Sequence, residues 1–237
     1  TNINNSLTVT GATNFQTDVT VDSLAKQTQQ NNGIVTADAN GKLIRSEISA
    51  TTLKSLDCSA DGTDATCFGP DANAFGDSSI ASGYKANAIG QGSLAIGFAA
   101  TAKGIESTAI GSLANASVIS ATAIGLLSNA SGAASIAIGR FASASKDGAV
   151  AVGDVAEASG NYSTASGYRA KASGNYSIAT GPSAKASGNY SQALGASAIA
   201  SGNESTAIGY QSKASGEESS AFGTGSIASG DESTAVG

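Results

Sequence analysis

The chain has 237 residues, of which Ala (46), Ser (37) and Gly (30) make up nearly half, with 5% aromatic residues and a net charge of −6. Alanine buries little area, and apolar burial is worth roughly 25 cal/mol per Å², so a conventional core of Leu, Ile and Phe is excluded. There is no histidine, which removes His-based triads, His acid–base chemistry and His metal sites, and the acidic balance argues against nucleic acid as a partner. No apolar run approaches the ~20 residues that span a bilayer. The chain has no Met and no signal peptide, so it reads as a mature or excised fragment whose membrane anchor, if it has one, lies elsewhere.

In chain order, Leu7–Thr10 and Val19–Val21 alternate as short strands separated by Gly11 and polar residues. Ile34–Arg45 predicts a hairpin about Asn40-Gly41, a type I′ turn signal, and Ser46–Leu56 predicts a short helix. Nothing here is periodic. Residues 1–69 are therefore read as an N-terminal fibre or capping segment, of the kind a solenoid needs where its stack begins.

From Gly69 onward every fourteenth residue is glycine, without insertion, through Gly83, Gly97 and Gly111 to Gly237, so residues 70–237 are twelve complete repeats. Ala stands two residues before each closing Gly, from Ala81 to Ala235, and Ser four before it except at Ala121 and Ala149. A second Gly marks mid-repeat, replaced only by Val118 and Lys146, and Ala again stands two before that midpoint, from Ala74 to Ala228. Ala alternating with variable residues has the period of a strand, and Gly after each strand supplies φ > 0 or close approach at a corner. The unit is two short strands and two turns. One unit buries no face alone, but stacking at about 4.8 Å per coil does. The expected fold is all-β, a parallel β-roll or solenoid with one repeat per coil.

The invariant alanines are expected inside, where only small residues fit between closely packed sheets. In the first half-repeat the opposite face carries Asn73, Asn87, Lys171, Lys185, Lys213 and a serine ladder from Ser117 to Ser229, and is wet. In the second half it carries Ile96, Ile110, Ile124, Ile138, Val152, Leu194, Ile208, Phe222 and Val236, interrupted by Ser82, Ser166 and Thr180. Beside these run Ile80, Leu94, Ile136, Val150 and Ile178. Such a continuous apolar stripe exceeds what soluble monomers expose, and a symmetric homo-oligomer is the default cover.

The segments Ser93-Leu94-Ala95-Ile96-Gly97, Ser107-Thr108-Ala109-Ile110-Gly111 and Ser205-Thr206-Ala207-Ile208-Gly209 resemble the head of YadA-like trimeric autotransporter adhesins, and the likeness covers residues 70–237. The resemblance implies a left-handed parallel β-roll, a homotrimer with the Ile stripe facing its axis, and a place on a bacterial outer surface, anchored through a region beyond this fragment. It also implies extracellular-matrix proteins, host cells or other surfaces as ligands.

In a secreted chain the close pair Cys58 and Cys67 suggests a disulfide, with free or interchain thiols as the alternatives. Asp57, Asp61, Asp64, Asp71 and Asp77 fit no EF-hand spacing and read as solvated turn residues. Seven Asn-x-Ser triplets, such as Asn161-Tyr162-Ser163, follow from the repeat rather than from a glycosylation signal. Tyr162, Tyr176 and Tyr190 share one repeat position in successive coils, which predicts an exposed aromatic ladder, a candidate binding anchor or simply corner packing. Glu204, Glu218 and Glu232 continue the row. No nucleophile–base arrangement and no phosphate-cradling loop is present, so neither catalysis nor a cofactor is expected. An adhesin head is thus set against a structural shaft of a phage tail or surface fibre. An ice-binding array is set aside, because the position that would supply it holds Thr in only five of twelve repeats.

Overall fold

The computed structural model describes residues 33–37, 43–47 and 58–237, which fall in two units, one within Thr1–Ser49 and the other within Ala50–Gly237. In the first unit β1 (Gly33–Ala37) pairs antiparallel with β2 (Leu43–Glu47), as the hairpin reading requires. The register places Ala37 opposite Leu43, and the turn expected at Asn40-Gly41 lies outside the described residues. Ser46 and Glu47, expected to begin a helix, belong to β2. The rest of that helix and the expected strands at 7–10 and 19–21 lie outside the described residues.

In the second unit every coil contributes one two-residue strand and one three-residue strand. The array opens with β3 (Ser59–Ala60) and β4 (Thr66–Phe68) and closes with β27 (Ile227–Ala228) and β28 (Thr234–Val236). The short strands form one parallel sheet and the long strands another, each of thirteen strands. The register advances by one whole repeat at every step, so Ala109 sits between Ala95 and Ala123. Both sheets reach back one coil before residue 70, into the segment read from sequence as a separate cap. Cys58 and Cys67 stand there at the positions that Ala72 and Ala81 occupy one coil later.

The core is four files of small residues. Ala72, Ala74, Ala81 and their repeats are buried except at Ala235 in the last coil, as are Ser79 and most of its repeats, and serine is the largest fully buried side chain among the described residues. Several of the buried serine hydroxyls close their turns: Ser163 Oγ donates to the Gly160 carbonyl (2.7 Å), and Ser191 and Ser219 repeat this at 2.6 and 2.7 Å. Such bonds satisfy a polar group whose burial would otherwise cost free energy. At Ser79, Ser93, Ser107 and Ser177 the hydroxyl has no partner among the described residues.

The two glycine rows do different work. A Cβ at the mid-repeat Gly174 would lie well under 3.0 Å from the carbonyl of Gly188, although its φ is not left-handed. Closing glycines such as Gly139 (φ 131°) meet the next coil's carbonyl and also have positive φ. The tightest conformation falls two residues after each glycine. From Asp64 to Glu232 every seventh residue is left-handed, and 22 of these residues are not glycine. They occupy the third position of four-residue turns closed by bonds such as Ser79 N to Gly76 O (3.1 Å) and Ala86 N to Gly83 O (3.1 Å). That geometry normally selects Gly or Asn, and an L-residue there costs on the order of 1 kcal/mol. The stack enforces it, because the left-handed residue's own N–H donates to the preceding coil, as Ser78 N does to Thr63 O (2.7 Å) and Lys85 N to Pro70 O (3.0 Å).

These differences separate the glycines experimentally. Gly174→Ala is expected to destabilise the chain by about 1–3 kcal/mol, the usual cost of overpacking. Gly225→Asn, at a left-handed corner with nothing within 4 Å, is expected to stay within about 0.5 kcal/mol of the parent. Denaturation midpoints of the two variants check both.

Candidate binding surface

With the interior filled, chemistry is confined to two sheet faces and two corners. Strand alternation turns the residues flanking each long-strand Ala outward. Ile96, Ile138, Val152, Ile208 and Phe222 are each 37–38% exposed, Ile110, Ile124 and Leu194 are half-buried, and Val236, on the last coil, is fully outward. The anticipated stripe thus lies on one outer face of the single chain.

That apolar surface turns both corners in the middle coils. Leu113, Leu126, Leu127, Phe141 and Val155 are exposed on the corner following the long strands, and Ile105 and Ile119 on the corner preceding them. Composition alone hid this patch, because corner positions vary freely and hold Pro, Ser, Arg and Asp in neighbouring coils. Numbering residues by repeat position reveals it.

The short-strand face is mostly polar, with Phe75, Ile89 and Ile227 exposed on it. Lys171 Nζ bonds Glu157 one coil below (2.9 Å), and Asn115 Nδ2 donates to Asn129 Oδ1 (2.8 Å). Exposed pairs of this kind are worth at most about 1 kcal/mol. At a corner, Arg140 grips Asp154 with two bonds of 3.0 and 2.8 Å. The hydrogen bond to Arg140 holds the Asp154 carboxyl below its ordinary range, and the same bond raises Arg140. Any stabilisation from this pair is therefore present above the ordinary Asp range and fades as pH falls through the lowered value.

Tyr162, Tyr176 and Tyr190 are brought together at the corner that follows the short strands. Their rings stack at 5.3 Å and 11°, then at 5.1 Å and 3°. Beside them runs an asparagine ladder that sequence reasoning passed over: the backbone N–H groups of Asn161, Asn175 and Asn189 donate to the Oδ1 atoms of Asn175, Asn189 and Asn203, at 3.0, 2.9 and 3.1 Å. Asp77, Asp147 and Asp231 use the same position in the same way toward Thr63, Ala133 and Glu217. This gives the Asn-Tyr-Ser triplets a structural role.

Cys58 and Cys67 are disulfide-bonded, with Cα atoms 6.0 Å apart, and the bond joins the two facing sheets across the interior of the first coil. Among the described residues no group of three or more His, Cys, Asp or Glu side chains converges as a metal site, and no helix is long and apolar enough to cross a membrane. Asp57 lies outside the described residues.

Two thirteen-stranded parallel sheets, closed by a pair of turns in every repeat, define a β-solenoid of the β-roll type. The YadA head domain repeat, described as two copies, matches repeatedly from residue 60 to 237, well over half of the chain. The chain belongs to the YadA head family. It is a repeat protein of the trimeric autotransporter class, a family of surface-exposed, outer-membrane-anchored adhesins that is not enzymatic, and a phage-fibre shaft is not favoured. Among solved structures it is similar to the crystal structure of the collagen-binding domain of the Yersinia adhesin YadA, at 28% identity over 65% of this chain and 72% of that one, with a TM-score of 0.36. No curated protein matches the sequence.

The disulfide predicts a local effect. Cys58→Ala/Cys67→Ala restores the residues the later coils use, so the array is expected to fold. Its first-coil amides, Ser59 and Thr66, are expected to lose hydrogen-exchange protection by about 2–4 kcal/mol, with amides beyond Leu94 unchanged.

Proposed function

We propose that this chain is an adhesin head that works as a homotrimer on a bacterial surface, holding host-matrix, host-cell or other surface ligands by many weak contacts at once. The observation that carries the reading is the exposed apolar face of the long-strand sheet, continued around both corners by Ile105 and Ile119 on one side and Leu113, Leu127 and Phe141 on the other. A three-fold assembly is heterologous, bringing two different flanks of the same chain together. Here both flanks are apolar at the same height, so the Ile stripe faces the axis and the two corner patches meet between neighbours. The mostly polar short-strand face is left for ligand, together with the later coils of the corner that carries Ile105 and Ile119, where Tyr162, Tyr176 and Tyr190 stand instead. The tyrosine ladder is the strongest candidate on them, since aromatic side chains are the usual anchors of an interface and three chains multiply each contact.

Sedimentation equilibrium is expected to give three times the 22.9 kDa chain mass, and Ile110→Asp/Ile124→Asp to abolish that species. A stable single-chain mass for the parent overturns the assembly. For adhesion, the parent is expected to bind collagen-coated or cell-coated surfaces. Tyr162→Ser/Tyr176→Ser/Tyr190→Ser is expected to lose about tenfold or more through the multivalent effect. Unchanged binding by that variant moves the ligand site off the ladder.

A further inference from the structure

We propose that Tyr162, Tyr176 and Tyr190 form an oxidative cross-linking site, at which peroxide-driven one-electron oxidation joins neighbouring rings by a carbon–carbon bond and staples adjacent coils together. The inference stands on the stacking alone and needs neither the trimer nor a ligand.

The backbone sets the geometry. The three residues have φ of 53°, 56° and 57°, so each side chain leaves its coil in the same direction, and the spacing of hydrogen-bonded strands is about 4.8 Å. The rings consequently lie nearly parallel, 5.3 and 5.1 Å apart. The ladder begins where Gly148 makes room for it: a Cβ there would lie 2.5 Å from Tyr162 Cδ1. It ends at Glu204, which takes the same position in the next coil. The side chains are 58%, 48% and 57% exposed, so oxidant reaches the rings and phenolic protons leave directly to water.

The chemistry balances as follows. Each of two neighbouring phenols gives up one electron and its hydroxyl proton, and the resulting phenoxyl radicals carry unpaired spin on the carbons ortho to oxygen. Two such carbons, one from each ring, form the new bond. The hydrogen that each coupled carbon carried then shifts to its ring's oxygen, restoring both aromatic systems. The pair loses two hydrogens in all, and the two electrons and two protons reduce one hydrogen peroxide to two waters. Coupling needs two phenols held side by side, a condition the other tyrosines do not meet. Tyr84 stacks on Phe98 at 5.6 Å, a ring without a hydroxyl. Tyr168 has the Arg169 guanidinium 5.2 Å from its ring. Tyr210 stacks on no aromatic ring among the described residues.

The test is treatment of the full chain with hydrogen peroxide and a peroxidase. The expected product is two hydrogens lighter, shows the blue fluorescence of dityrosine, and digests to a peptide pair joining Tyr176 to Tyr162 or to Tyr190. Its yield is independent of protein concentration, and the chain still runs as a single chain in SDS. Tyr176→Phe keeps a ring in the stack but removes the shared phenol, leaving Tyr162 and Tyr190 two coils apart. It is expected to cut the product about tenfold or more, as loss of proximity does, while Tyr210→Phe leaves the yield unchanged. Dityrosine that survives Tyr176→Phe, or that appears only as SDS-stable multimers, overturns the proposal.

Discussion

The fixed one-repeat register between successive coils is the constraint on which the rest of this structure depends. Each strand of the array is only two or three residues long, too short to hold together by itself, so stability comes from repeating the same backbone bonds along the stack. A net hydrogen bond is worth about 1 kcal/mol, and every coil makes several of them to each neighbour. A single inserted residue would shift every later coil out of register, and none occurs between Gly69 and Gly237. The bonds also dictate the interior. With so few residues in each half-coil, and the corner taking two of them, the space between the sheets is filled by Ala and Ser in every coil after the first, where Cys58 and Cys67 are bridged.

The same ladder explains why strained backbone is tolerated so widely. Leu, Phe, Tyr and Val residues adopt left-handed φ at the corners, including the β-branched Val155 at 60°, a conformation that is a genuine outlier for such a residue. Val155 N still donates to Arg140 O at 2.8 Å, as its counterparts do in other coils. The neighbouring coils over-determine the corner conformation, so side-chain identity there is released from the demands of the turn.

This release sets what was legible in the sequence. Positions where the stack restricts size, the alanine files and both glycine rows, stand out as near-invariant, and the fold follows from them. The left-handed positions carry no such signal, because Asp, Lys, Ala, Leu, Tyr and Glu all occupy them. The first coil was obscured for a related reason. Cys67 replaces a frame alanine there and Cys58 stands in the Ala72 row, so only Ala60, Gly62 and Gly69 keep the period visible in that coil. The apolar corner patch around Leu127 and Phe141 carries no sequence signal because the same corner holds Ser112, Arg140, Asp154 and Pro182 in other coils. The tyrosine stack was legible because identical residues recur at the repeat interval.

Stacking turns each repeat position into a row, and the meaning of a residue depends on what lies one repeat away. Asn above Asn extends a hydrogen-bonded ladder, Tyr above Tyr a stack, and Lys171 above Glu157 an ion pair. Glu204, Glu218 and Glu232 make a row of like charges that gains nothing from its neighbours and serves only solvent or a partner. A coil of this kind has no room for a buried pocket, since its inside is filled by methyl and hydroxymethyl groups. It offers instead long rows of repeated groups on an exposed surface. Weak contacts made many times along such rows give useful avidity without any single strong site, which is the form of recognition an adhesin head requires.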